Sequence, residues 1–520
     1  MNDRKRNAAV LPASMLKLQR LTTGEHAKRF ARRRLPVWAS IGIILLITVL
    51  LPGLALAAAA HGHTRYLVWA QAAVAIIYAS TSAMIIAEGF LALRPSTPGS
   101  ATIPAADTLP PCTAVVAAYL PNEQDIIVET LLHILSEVEV PGDRFQVLLA
   151  YNTPHDLAVE EDLRKMAEAD KRLTLLRVED SRSKAENVNA ALSAATGDIV
   201  AIFDADHWPA ADGFRRAWRN ISAGADMVQG RCVIRNHTQS WLTQIVAVEF
   251  DIMYACSHQG RARMSGSGIF GGSNAYWKRE SLEKVRLDET MLTEDIDASV
   301  RALLLGQNLA HDRDITSREL APVKVAHWFT QRKRWSQGWF EVSIKHAVVV
   351  LKSAVLSPKQ KVLWWYLLCW REVFPILSLQ FFSLMLAAAI LHSRVNWFAP
   401  GFFLSTSILN LSAGVVVVAL TRACASPDFR LRHAPWYLVY ALTGIVYTTV
   451  KTMVMLMAQL SQLTKEHNWV ATPRTAEGVS AMIVSLEDPG ASHTPDDPDD
   501  APPAPIVSEI ETAKSSKISI

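Results

Sequence analysis

Four long stretches of this chain carry no charge, and they bracket everything else. Leu35 to Ala60, Tyr66 to Ala87, Val373 to Leu391 and Val395 to Thr421 contain no Asp, Glu, Lys or Arg. An apolar run of about 20 residues crosses about 30 Å of hydrocarbon as a helix. The link His61-Gly62-His63-Thr64-Arg65 makes the first two runs a hairpin, and the last two form a second hairpin around Arg394. The basic segment 1–34 ends in Lys28-Arg29-Phe30-Ala31-Arg32-Arg33-Arg34, and such a cluster holds its side of the membrane in the cytoplasm. Its length, and that of the run behind it, argue against a cleaved signal peptide. Arg422, Arg430 and Arg432 fit a return to the same side.

A further apolar stretch, Ala434 to Leu463, is interrupted by Lys451. It is either a fifth span or a helix lying at, or re-entering from, one membrane surface. A lysine at mid-segment is costly in a lipid-facing span unless it snorkels or faces the protein interior, so the residues alone leave both placements open. The tail 476–520, rich in Pro and Asp after Ser492, has a disordered composition. Five scattered cysteines show no paired spacing, which argues against a disulfide framework or a structural zinc site.

The intervening segment 112–330, reached through a Pro/Ser/Thr/Ala linker at 94–111, has the opposite texture. Short apolar strands (Thr113–Ala118, Phe145–Ala150, Leu173–Val178, Asp198–Phe203) alternate with helical patterns such as Ile126–Ser136. This alternation predicts an α/β domain, a mostly parallel sheet with helices on both faces. Ligands of such sheets bind at the carboxyl ends of the strands, and polar residues fall there: Tyr119 to Glu123, Asn152 and Asp204.

Three ordered motifs carry the chemistry. Asp204-Ala205-Asp206-His207 ends a buried strand. Paired carboxylates there can hold a divalent ion, Mg²⁺ or Mn²⁺, against a diphosphate leaving group, and His207 adds a nitrogen ligand that would favour Mn²⁺. Asp295, in Thr293-Glu294-Asp295-Ile296-Asp297, can accept a proton from an attacking sugar hydroxyl. A single displacement by that hydroxyl inverts the anomeric centre and needs no carboxylate nucleophile. Asp297 is assigned a structural role. Gln331-Arg332-Lys333-Arg334-Trp335 supplies in Arg334 a forked cation for phosphate oxygens, and in Trp335 an indole plane for the acceptor sugar. The same stretch, 331–372, reads as amphipathic interfacial helices. Lys184 is a candidate diphosphate contact. Gly271-Gly272-Ser273-Asn274 allows close approach of a sugar or acceptor. Each also has a plainer reading as a surface lysine or a turn.

On these motifs the chain resembles the processive family 2 glycosyltransferases, such as bacterial cellulose synthase, glucomannan and curdlan synthases, and hyaluronan synthase. The resemblance covers roughly residues 112–340, and the membrane layout extends it to about 475. It implies a GT-A domain inserted between transmembrane hairpins and facing the cytosol of a bacterial inner membrane. It implies that Asp204 contacts the nucleotide sugar, that Asp206 and His207 ligate the metal, and that Asp295 is the catalytic base. Gln331, Arg334 and Trp335 would hold diphosphate and acceptor, with Gly272 and Ser273 beside the acceptor. Tyr119 would stack on uracil with Glu123 close by. Trp469, Thr472 and Arg474 would form a cytosolic gating loop within 464–475, which requires an even number of crossings before it and so favours the non-crossing reading of Ala434 to Leu463. The chain departs from the pattern at Asn152, which stands where the family has an aspartate and keeps an amide without the charge. It departs again at Tyr119-Leu120-Pro121-Asn122-Glu123, with two extra residues. Expected partners are a UDP-sugar, the growing polysaccharide and the bilayer, with export or accessory subunits left open and no nucleic acid. The expected product is a β-linked polysaccharide, with a slight preference for a glucan, carried across the membrane. A non-processive enzyme making a glycolipid is the alternative.

Overall fold

The computed structural model describes residues 36–94, 102–399, 401–425, 430–431 and 433–464. The gating segment at Trp469, Thr472 and Arg474, the basic segment 1–34 and the tail 476–520 lie outside these. Among the described residues, five helices are long and apolar enough to cross a membrane. They are α1 (Val37–Ala60), α2 (Arg65–Ala92), α8 (Pro358–Ile390), α9 (Phe402–Cys424) and α10 (Ala434–Leu463). α1 and α2 lie over the first two uncharged runs, joined by the turn at 61–64. The third apolar run is only the end of a longer helix, since α8 starts at Pro358 behind a Ser357/Gln360 capping box rather than at Val373.

The central domain is built on one eight-stranded sheet in the order β3-β2-β1-β4-β7-β6-β8-β5. The strands are β1 (Cys112–Tyr119), β2 (Phe145–Asn152), β3 (Leu173–Arg177), β4 (Ile199–Asp204), β5 (Trp208–Pro209), β6 (Met227–Ile234), β7 (Ala275–Lys278) and β8 (Leu309–Glu319). The first four are parallel neighbours, as the alternation predicts. β7 runs antiparallel to β4 and β6, β5 runs antiparallel to β8, and β6 pairs parallel with β8, so the sheet as a whole is mixed. β1 is covered on both faces. Ala114, Val116 and Ala118 pack with Ile127, Leu131 and Ile134 of α3 (Ile127–Glu137). Val115 and Ala117 pack on the other side with Ala185, Val188 and Leu192 of α4 (Lys184–Ala194). That double burial explains why the strand reads as a continuous apolar run rather than an alternating one.

A second core joins this domain to the apolar helices. Leu242, Val246 and Phe250 of α5 (Trp241–Phe250) pack with Trp328 of α7 (Val325–Lys352) and Val454 of α10. Between these lies α6 (Glu294–Leu304), which carries the Thr-Glu-Asp motif.

Candidate active site

The register of the parallel strands sets the site. Tyr119 pairs with Asn152 across β1 and β2, and Asp204 pairs with Ala117 across β1 and β4. The polar ends therefore open at one edge. They line a cavity of about 900 Å³ that also takes in Glu123, Lys184, Asp206, Gly272, Ser273, Asp295, Gln331, Arg334 and Trp335. Three motifs far apart in sequence thus meet in one chamber.

Asp204 is paired with Lys184 Nζ, and its backbone N–H donates to Ser273 Oγ at 3.0 Å. Lys184 also donates to the Gly272 carbonyl at 2.5 Å. Burial opposes the charge on Lys184, but Asp204, Glu294 and Asp295 outweigh it and hold the amine above its ordinary value. Asp206 is buried and accepts from the Leu320 N–H at 3.1 Å. His207 is pinned from both sides, with Nδ1 3.2 Å from Ser317 Oγ and Nε2 2.6 Å from Glu319. The short β5–β8 pairing, Trp208 with Arg318, delivers both partners.

The ligand atoms of Asp204, Asp206 and His207 lie within 4.8 Å of one another, and those of His207, Cys232 and Glu319 do likewise. Two carboxylates and an imidazole suit Mg²⁺ or Mn²⁺. Burial holds the Cys232 thiol well above its ordinary value, so the second set is poorer in charged ligands.

Asp295 heads α6. Its carboxyl is pushed up to about 7, first by burial and then by Glu294, while Lys184, the Ile296 N–H and Arg334 pull it back. A carboxylate poised near neutrality is what a general base requires. Gly272, at φ +88°, leaves it room: a Cβ there would lie 2.8 Å from Asp295 Oδ2. Gln331 Oε1 is buried beside the cavity and has no hydrogen-bond partner among the described residues, so an acceptor is left for a ligand.

Two expected nucleotide contacts are engaged by the protein itself. Asn152 donates to the Ser181 carbonyl and accepts from Asn187, both at 2.9 Å, so its amide ties the ends of β2 and α4 together. The Glu123 carboxylate accepts from the Tyr119 N–H at 2.7 Å, closing the turn after β1.

Several partners were not apparent in the sequence. Glu319 and Ser317 are one set. Arg332, an unassigned position of the Gln-x-x-Arg-Trp motif, is buried, pairs with Glu249 at 2.7 Å, and sets its guanidinium 4.3 Å over the Trp335 ring. Burial opposes the Glu249 charge, yet Arg332 and Lys451 hold that carboxyl at about 2. For Glu249 and Lys451 the signal was a charge standing within an apolar stretch, whereas Glu319 and Ser317 gave none.

Residues 110–338 match the family model described as "Glycosyltransferase like family 2". The beta-monoglucosyldiacylglycerol synthase of Trichormus variabilis is 26% identical over 390 residues, covering 71% of this chain and 78% of that protein. Glucomannan 4-beta-mannosyltransferase 7 of Arabidopsis thaliana is 28% identical over 295 residues, 55% of this chain and 50% of that one. Among solved structures, a mannosyltransferase from Pyrobaculum calidifontis in complex with GDP-Man and Mn²⁺ superposes with a TM-score of 0.50 at 21% identity, covering 76% of this chain and 100% of its own. At that identity the likeness is one of fold.

Proposed function

Because residues 110–338 form a glycosyltransferase family 2 domain of GT-A type in a sugar-transferring membrane enzyme, we propose that the chain moves a sugar from a UDP-sugar to an acceptor hydroxyl with inversion, in one displacement. The observation that carries this reading is the single cavity joining Asp204, Asp206, Asp295 and Arg334 to residues of the apolar helices. Asp206 and His207 would hold Mg²⁺ or Mn²⁺, which when bound supplies positive charge to the departing diphosphate. Lys184 and Arg334 present fixed cations to the same oxygens. Asp295 takes the acceptor proton, and Trp335 carries the acceptor ring.

The finer reading is processive synthesis of a β-linked polysaccharide. The cavity continues past Trp335 to Trp370 and Phe374 of α8 and to Thr448 and Thr452 of α10, a lining of aromatic rings and hydroxyls that suits a saccharide chain. The glycolipid reading is supported by the Trichormus relative, whose match extends over most of both chains. Supplying membranes with labelled UDP-sugars and sizing the products separates them. Long products support the polymer, and lipid-soluble products bearing one sugar overturn it.

For α10 we favour the non-crossing placement. Tyr437 contacts Asp251 and Val454 packs in the core of α5 and α7, so the helix follows the catalytic domain over about 25 Å. Its other side exposes Leu438, Leu442, Ile445 and Val446, an apolar stripe for the lipid surface. Both ends would then lie on the cytosolic side with the catalytic domain. Protease accessibility of a tag after residue 475, in inside-out against right-side-out vesicles, tests this.

A further inference from the structure

Lys451 is a charge in the middle of a 30-residue apolar helix, and it is not left to the lipid. Its Nζ reaches Glu249 Oε1 at 2.5 Å. The other oxygen of Glu249 accepts from Arg332 and from the Tyr447 hydroxyl, each at 2.7 Å. Trp328 Nε1 donates to the same hydroxyl at 3.1 Å. One carboxylate thus ties α5, α7 and α10 at a single point. Arg332 in turn lies over Trp335, whose ring lines the cavity, as do Glu249, Arg332 and Lys451 themselves.

Stability does not require such a node. Replacing a buried ion pair by packed apolar residues is often neutral or stabilising, whereas fixing one geometry among several is what polar contacts do well. An ionisable residue in an apolar helix lying against the bilayer is, by its cost, a pointer to function. The stacked guanidinium covers one face of the indole and fixes its plane, while Glu249 fixes the guanidinium.

We propose that Glu249 and Lys451 are positioning residues for the acceptor. Through Arg332 they set the plane of Trp335, and so the angle at which the acceptor hydroxyl meets Asp295. α10 thereby controls transfer to sugar against transfer to water. The inference rests on the proposed glycosyl transfer and deepens it.

The test compares Lys451→Met, Lys451→Arg and Glu249→Gln with the unaltered full chain in detergent, using UDP-sugar with and without an oligosaccharide acceptor. In K451M and E249Q the acceptor KM is expected to rise about tenfold, the scale of one charged hydrogen bond. The donor KM should stay, and the ratio of donor hydrolysis to transfer should rise. K451R should restore the ratio. A fall in kcat alone, with KM values and ratio unmoved, would overturn the proposal. Hydrogen exchange over residues 328–338 gives a reading independent of turnover: it should quicken in K451M and recover in K451R, and unchanged exchange overturns the coupling even if no acceptor is used. Absence of transfer by the unaltered chain would instead strike the functional reading.

Discussion

Asp295 and Asp297 stand two positions apart on the same helix, and their surroundings treat them in opposite ways. Asp297 is fully buried, yet two cations and an imidazole meet it: Arg301 at 2.6 Å, Lys345 at 2.9 Å and His346 at 2.7 Å. Burial pushes that carboxyl up, and His346, Arg301 and Lys345 more than reverse it, holding it well below the usual carboxylate range. Asp295 faces the cavity beside Glu294, Lys184 and Arg334 act on it from beyond ion-pair distance, and it rises to about 7. Burial alone therefore does not decide the state of a carboxylate. Direct contact with cations does, and the same helix carries one carboxyl held well below its ordinary range and one raised to about 7, where the proposed base would titrate.

The comparison breaks most decisively at Asp295 itself. Asp295→Asn should lower transfer about a thousandfold while UDP binding persists, measured by UDP release and by calorimetry. Near-normal turnover would remove the base assignment. Asp297→Asn should act on the other axis. It strands Arg301, Lys345 and His346 around a neutral amide and should cost roughly 3 kcal/mol of stability, seen as a lower Tm in detergent, with turnover per folded molecule largely kept.

The pH dependence should divide in the same way. Only the ionised base accepts a proton, so kcat/KM should rise about tenfold per pH unit up to a limb near 7 and then level. Stability runs against it. The folded chain keeps a proton on Asp295 that the unfolded chain loses near pH 4, so this group's contribution falls as pH rises from about 4 to about 7. Asp297, with its folded value depressed, contributes stability above the ordinary carboxylate range, and that contribution is lost as pH falls below it.

Two smaller changes sharpen the picture. Gly272→Ala places a Cβ 2.8 Å from Asp295 Oδ2 at a backbone φ of +88°. It should reduce transfer roughly tenfold, through about 1–2 kcal/mol of strain and displacement, with little change in the donor KM. Lys184→Met removes one of the charges that pulls Asp295 down, so the acid limb of the pH profile should move above 7. A limb that stays or falls would show that another group titrates there.

The motif residues were legible because chemistry fixes their types: paired carboxylates after a buried strand, an acid at a helix start, a cation beside an indole. Their partners were not. Glu319 reaches His207 only because β5 pairs with β8. Glu249 reaches Arg332 and Lys451 only because α5, α7 and α10 share one core. Asn152 fell at the predicted strand end, but the sequence could not show that its amide bonds Ser181 and Asn187.

By itself the sequence determined the apolar runs, the four parallel strands and the residue types that the proposed chemistry needs. Uncharged runs of membrane length must be helices, strand-helix alternation must give a sheet covered on both faces, and carboxylates at strand ends must lie at one edge, because backbone hydrogen bonding and side-chain period are local properties. Tertiary structure decided which carboxylate the cations clamp and which they leave near 7, which arginine stacks on Trp335, and why Lys451 is tolerated in an apolar helix. Those outcomes depend on distances between groups up to some two hundred positions apart along the chain, Lys451 and Glu249 among them, and only packing brings those distances to hydrogen-bond range.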